Sequence, residues 1–286
     1  MKIPDNTKIQ SVDLRVKDLN ESLKFYSELL GFKIISRSDK LSLLSADGEL
    51  PYLVKLFEDK NAEVRGHNSA GLFHIAFRFK NRKELARVFM RLFNNNVKFQ
   101  GFSDHLVSEA IYLSDPDNNG IELYTDKPAA EWKWEMGQVI MDTLPLDLSK
   151  ITAELDDPEI WNGIDPETDI GHIHLNVTDL FKSEKFYSLI LGLNVTSSLY
   201  PGAVFYSAGG YHHHIGTNIW KSRNGKPVNI KSEGLINFTI KIPDEKYINS
   251  IFEKAKEEGL LLENRDGNDS ELLIKDFDGN VMKIEL

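Results

Sequence analysis

The chain has 286 residues, 44 acidic and 34 basic, for a net charge of −10, with 41% hydrophobic and 27% charged residues. These proportions fit a globular protein long enough for two cores, and the acidic balance argues against a general affinity for nucleic acid or anionic membrane. The absence of cysteine excludes disulfides, thiolate catalysis and sulfur-ligated metal. The opening MKIPDNTKIQ is polar and lacks the apolar centre of a signal peptide. No run of about 18 apolar residues is present to span a bilayer, so a cytoplasmic location is expected.

In chain order, residues 9–16 alternate as a strand should. Asp18 can cap a helix, with Glu21 three residues on as in a capping box. Leu23, Phe25, Tyr26, Leu29 and Leu30 give that helix an apolar face, and Gly31 stops it. Strands are predicted over 32–37, 40–46 and 52–58, completing a β-α-β-β-β unit. A second unit follows, with a strand over 71–77, a helix over 81–94 and strands near 97–101, 108–113 and 119–125. The run Asp115-Pro116-Asp117-Asn118-Asn119-Gly120 supplies turn chemistry between the last two.

From 128 to 168 the pattern loosens. Pro128, Trp132, Trp134, Pro145, Pro158, Trp161 and Pro166 stand among acidic residues, as in a long, partly ordered linker whose tryptophans pack over the domains. A third unit starts at Gly171 and ends in GGYHHHIGTN (209–218). A fourth starts at Gly234, holds a helix over 244–258 and ends in DFDGNVMKIEL (276–286).

The units repeat. Asp18-Leu19 falls on Asp179-Leu180, Phe25-Tyr26 on Phe186-Tyr187 and Gly31 on Gly192, always at an offset of 179 − 18 = 161. Units two and four match likewise, Gly71-Leu72 lying over Gly234-Leu235 and DPDNNGIEL over DFDGNVMKI. The expected fold is α+β: four β-α-β-β-β modules forming two half-open β cups with helices outside. The division by chain order is an N-terminal pair over 1–127 (1–66 and 67–127), a linker over 128–168 and a C-terminal pair over 169–286 (169–228 and 229–286).

Four such modules, with FY…LG helices and the segments GHIHL, GGYHHHIG and SDPDNNGIE, resemble the vicinal oxygen chelate superfamily of glyoxalases and type I extradiol dioxygenases. The similarity covers nearly the whole chain and is greatest to catechol 2,3-dioxygenases of the bacillus type. In that family a divalent metal sits in the cup, held by residues of the first and last strands of the modules. The first-strand positions here are Ser11, His74, His172 and Asn237, and the last-strand carboxylate position is Glu122 in unit two and Lys283 in unit four. Only units two and three together offer two histidines and a carboxylate, the set of an O2-activating site with open coordination positions. The resemblance thus implies His74, Glu122 and His172 as metal ligands. It also requires unit two to pair with unit three across the linker, unlike the familiar two-domain extradiol enzymes.

Each of these residues has a plainer reading. His74 in an apolar strand could be a hydrogen-bonded core residue, whereas Glu122 between Ile121 and Leu123 would be costly to bury unpaired. His172 and His174 point to one side of their strand. His172 aligns with His74, which leaves His174 to support the ligands. The His212–His214 run could be a polar strand edge. The resemblance instead gives His213 an acid–base role, which suits an imidazole titrating near neutrality. Tyr112, ten residues before Glu122 (122 − 112 = 10), matches a substrate-binding tyrosine of the family, and His105 is a weaker candidate beside the substrate or the ligands. The implied activity is ring cleavage of a small aromatic diol with O2, using Fe(II), with Mn(II) as alternative, in aromatic compound catabolism. A homo-oligomer is compatible with the family. Two alternatives stand beside it: a glyoxalase- or epimerase-like isomerase or lyase using the metal as a Lewis acid, and a non-catalytic small-molecule binding protein.

Overall fold

A computed structural model describes residues 2–155, 161–262 and 272–286; Pro158 lies outside them. Unit one comprises β1 (Lys8–Val16), α1 (Leu19–Leu23), β2 (Lys33–Arg37), β3 (Leu41–Ser45) and β4 (Val54–Glu58). Unit two comprises β5 (Gly71–Phe79), α2 (Arg82–Asn94), β6 (Gly101–Asp104), β7 (Ser108–Ser114) and β8 (Gly120–Asp126). The connecting segment holds β9 (Trp134–Glu135), β10 (Gln138–Val139), β11 (Leu144–Pro145) and α3 (Leu148–Thr152). Unit three has β12 (Asp169–Asn176), α4 (Leu180–Glu184), β13 (Asn194–Ser197), β14 (Ala203–Ser207) and β15 (Ile215–Asn218). Unit four has β16 (Gly234–Lys241), α5 (Glu245–Glu257), β17 (Leu272–Lys275) and β18 (Val281–Glu285).

The helix starts follow from their caps. The Asp18 carboxylate accepts from the backbone N–H of Asn20 and Glu21, and Asp179 does the same for Phe181 and Lys182. Both helices then widen into a π-helical turn, over Lys24–Leu29 and Lys185–Ile190, with Leu30 N–H donating to Phe25 O at 2.9 Å and Leu191 N–H to Phe186 O at 2.9 Å. The expected strand over 97–101 begins later, at Gly101. Val97 and Phe99 turn onto the apolar core instead, and ladder pairing with β7 runs from Gly101 opposite Tyr112 to Asp104 opposite Glu109.

Two sheets form the half-open cups of an α+β fold. The seven-stranded sheet runs β17-β18-β16-β1-β4-β3-β2, and the nine-stranded sheet β11-β6-β7-β8-β5-β12-β15-β14-β13. Each sheet therefore takes one unit from either side of residues 128–168: unit one joins unit four through β1–β16, and unit two joins unit three through β5–β12. Units adjacent in the chain are clasped differently. The hydroxyl of Tyr26 donates to buried Asp115 across the sheets at 2.9 Å, and Tyr187 repeats this with Asp276 at 2.9 Å. One continuous apolar cluster, from Ile3 to Ile284, spans both sheets. Within the described residues no helix is long and apolar enough to cross a membrane.

Candidate metal centre

The site is built on the row where units two and three meet. Parallel pairing sets Glu122 of β8 opposite Ala76 of β5, and antiparallel pairing sets Ala76 opposite His172 of β12. Tyr112 of β7 extends the row beyond Glu122. The next row carries Gly120, His74, His174 and Gly216 in register across β8, β5, β12 and β15. Side chains on one face of a sheet recur every two residues, so both rows open into the same cup. Ala76, between Glu122 and His172, leaves room for the longer side chains to converge. Glycine is needed at Gly120 and gives the His174 ring its close approach at Gly216. A Cβ on Gly120 would come within 2.2 Å of Phe73 O, and one on Gly216 within 3.0 Å of the His174 ring.

One ligand atom from each of His74, Glu122 and His172 lies within 4.8 Å of the other two, and all three residues are buried. His74 Nε2 is 2.9 Å and His172 Nε2 3.2 Å from the same Glu122 oxygen. Yet His74 Nε2 makes no aligned hydrogen bond, although it is buried. A close but misaligned nitrogen–oxygen contact is poor hydrogen bonding and good geometry for two donors to one cation, whose bonds of about 2.1 Å set neighbouring ligands roughly 3 Å apart. The electrostatics agree. Burial pushes the Glu122 carboxyl up, but the two adjacent imidazoles outweigh it and hold it well below the usual carboxylate range. Burial lowers His172 to about 4 and takes His174 and His213 well below an ordinary imidazole, so all three offer lone pairs at neutral pH. A buried carboxylate and neutral imidazoles fit a divalent cation, and the triad is a potential metal site.

Above the triad is a cavity of about 410 Å3. His213, Tyr112, His105 and His174 all line it, so the structure brings every residue singled out from the sequence to one place. The His213 ring lies 4.1 Å from that of His172 and 4.8 Å from that of Phe205. His174 meets His74 edge-on at 5.0 Å and packs against Trp220 at 5.5 Å, with its Nε2 buried and without a hydrogen bond. Tyr112 Oη lies 2.7 Å from His105 Nε2, and His105 Nδ1 lies 2.8 Å from the carbonyl of Asp142. Since a carbonyl only accepts, Nδ1 is a donor, and a ring with its one N–H there presents Nε2 as an acceptor for the Tyr112 hydroxyl. Burial, and then the Glu122 charge, push the Tyr112 hydroxyl up, so it keeps its proton.

Sequence reasoning did not find the aromatic walls Phe73, Phe205 and Trp220, nor the contribution of the connecting segment. Met141 and Thr143 line the cavity, and Thr143 Oγ1 meets Tyr200 Oη at 2.8 Å. Phe73 and Phe205 could have been read from register, since each adjoins or faces a row residue; Met141 and Thr143 left no such signal. Asp126 was also missed, although its spacing of two and four residues from Tyr124 and Glu122 places all three on one face of β8.

Known proteins resemble the chain in sequence and fold. A family model described as the Glyoxalase/Bleomycin resistance protein/Dioxygenase superfamily matches residues 8–123 and 169–283. The chain is 37% identical over 270 residues to a catechol-2,3-dioxygenase of Bacillus subtilis (strain 168), covering 93% of each. A solved protein of Bacillus subtilis subsp. subtilis str. 168 shares the fold with a TM-score of 0.68 at 15% identity, covering 99% of this chain and 86% of that one. Glyoxalase I from Zea mays does so with a TM-score of 0.58 at 14% identity, over 98% and 92%. With both halves of the chain matched and its strands paired in two cups, the protein belongs to the glyoxalase/bleomycin resistance protein/dioxygenase superfamily.

Proposed function

We propose that the protein is an extradiol dioxygenase that opens the ring of catechol or a substituted catechol with O2, using Fe(II), with Mn(II) as the alternative, in cytoplasmic aromatic catabolism. The observation that carries this is the convergence of His74, Glu122 and His172 under an aromatic-walled cavity that also holds His213 and Tyr112. The 37% identity to a catechol-2,3-dioxygenase supports it. The three ligands would hold the metal, which when bound acidifies the two ring hydroxyls and couples the aromatic diol electronically to O2.

The protein's own groups do the rest. Tyr112 donates its proton to His105, so its oxygen lone pairs are free to accept from a substrate hydroxyl and fix the ring's orientation. His213, neutral because it is buried, takes a proton from the second hydroxyl and can return it later in the reaction. Phe73, Phe205 and Trp220 provide a dry, flat-walled slot for an aromatic ring and an apolar space for O2. The isomerase alternative would call on a second carboxylate, but among the described lining residues Glu122 is the only acid, and His213 lines the same cavity. The test is an aerobic assay after anaerobic Fe(II) loading. Catechol should give a yellow ring-opened product with matching O2 uptake; a fully iron-loaded protein that does neither would overturn the reading.

A further inference from the structure

Behind His213 lies a partly buried chain of polar groups that metal binding and substrate orientation leave unexplained. Asp126, at the end of β8, has Oδ1 2.8 Å from His212 Nε2, and His212 Nδ1 is 2.7 Å from His213 Nδ1. His212 is fully buried, and the Trp132 ring covers it at 5.2 Å. Asp126 is also the acceptor for the Tyr211 hydroxyl at 3.0 Å and lies 3.4 Å from the Arg78 guanidinium. Burial pushes its carboxyl up, but the hydrogen bond from His212 and the Arg78 guanidinium bring it below the ordinary value, so it is an anion and accepts only.

Proton counting then has a single outcome for neutral rings. An ionised Asp126 requires His212 Nε2 to carry the hydrogen. A neutral imidazole has one N–H, so His212 Nδ1 presents a lone pair. The short contact to His213 Nδ1 needs one proton between the two nitrogens, and only His213 can supply it. His213 Nε2 is left as a lone pair on a ring that lines the cavity. We propose that Asp126 and His212 are positioning residues that lock His213 in its Nδ1–H tautomer and present Nε2 to the substrate as the base. This rests on the acid–base reading of His213 and adds the device that orients it. The logic is that of an acid–histidine pair, with a second histidine inserted between the carboxylate and the base.

Histidine 15N NMR on the full-length, Zn(II)-loaded protein tests the tautomer without reference to activity, with His213→Gln assigning the resonances. The expected result is a protonated Nδ1 and an unprotonated Nε2 on His213, with the pattern mixed or reversed in Asp126→Asn. A protonated Nε2 on wild-type His213 would overturn the inference whether or not any variant folds. Kinetics on the Fe(II)-loaded enzyme form the second arm. Asp126→Asn should lower kcat for catechol by about 100-fold, with KM and iron content within twofold of wild type and partial recovery in Asp126→Glu. A kcat within twofold of wild type, or a loss that merely tracks lost iron, would overturn it. If His213→Gln keeps full kcat, the acid–base reading falls instead, and the NMR result still decides the tautomer.

Discussion

The two cups share one backbone and differ in what their side chains leave unsatisfied. The central ladders even carry the same pair of irregularities, between Ile9 and Ser11 and between Asp13 and Leu14 in β1, and 161 residues later in β12. The row Glu122–Ala76–His172 in one cup corresponds to Lys283–Thr239–Ser11 in the other, and His74–His174 to Asn237–Asp13. In the cup of units one and four the groups pair among themselves. Ser11 bonds Thr239 at 3.0 Å; Asp13 takes Lys55 at 3.0 Å, the Tyr52 hydroxyl at 3.0 Å and the Asn237 amide at 3.2 Å; Lys283 meets Glu285 at 2.7 Å. In the cup of units two and three, His74 Nε2, His172 Nδ1 and His174 Nε2 are buried without a hydrogen-bond partner. Buried polar groups are normally satisfied, so a cluster that is not marks where the fold keeps capacity for something else. One cup has been closed by its own hydrogen bonds; its twin holds a cation-shaped set of donors and a cavity.

The candidate metal cup can be given its twin's residue. In His172→Ser the proposed metal ligand becomes the hydroxyl that the other cup already tolerates, so the fold should survive. Iron content and ring cleavage should both fall by at least about a hundredfold, as expected when one of three ligands goes; metal analysis with O2 uptake checks it. Full iron retention would show that the triad is not the site. The reverse change sharpens the contrast. Asp13→Ala removes the acceptor for Lys55, Tyr52 and Asn237 and should cost about 1–3 kcal/mol in denaturant unfolding, while kcat per iron stays unchanged. An activity loss larger than twofold there would mean that the closed cup is not silent.

The smallest effect concerns the clasp between neighbouring units. Burial raises Asp115 and Asp276 to about 6, against hydrogen bonds from Asn119, Tyr26, Asn280 and Tyr187 that pull them down. A carboxyl raised on folding binds its proton more tightly in the folded state. Its stabilising contribution is complete below the unfolded value near 3.8 and is lost as pH rises through about 6. Asp115→Asn removes that dependence at one clasp. Its stability relative to wild type should therefore improve from pH 4 to pH 7, whatever the absolute cost of the amide. Urea unfolding across that range measures it, and a constant difference would refute the assignment.

Much of this was legible in the chain because repetition turns missing residues into information. Ser11, Asn237 and Lys283 stand where the family resemblance puts ligands and cannot serve as the expected set, which pointed to units two and three as partners. The strands followed from alternation, and the first helix cap from Asp18, which falls on Asp179 in the repeat. Asp126 and His212 were harder. Their contact joins the end of β8 to the loop before β15, 86 residues apart, and it depends on a distance that periodicity does not carry. Nor could the sequence place Met141 and Thr143 at the cavity mouth, because that segment is positioned by the pairing of β11 with β6 at the sheet edge and not by a pattern of its own. The π-helical turns were invisible for a similar reason, since 3.6- and 4.4-residue turns share nearly the same apolar spacing over a single turn.

The central claim is that Glu122, held between His74 and His172, makes one cup a metal-dependent ring-cleaving site. Iron content and aerobic O2 uptake with catechol, measured side by side for the wild type and Glu122→Gln, test it most directly. The account predicts about one iron per chain and rapid O2 consumption in the wild type, with both lost in the variant because a neutral amide cannot balance the cation. A Glu122→Gln protein that binds iron and consumes O2 like the wild type would contradict it.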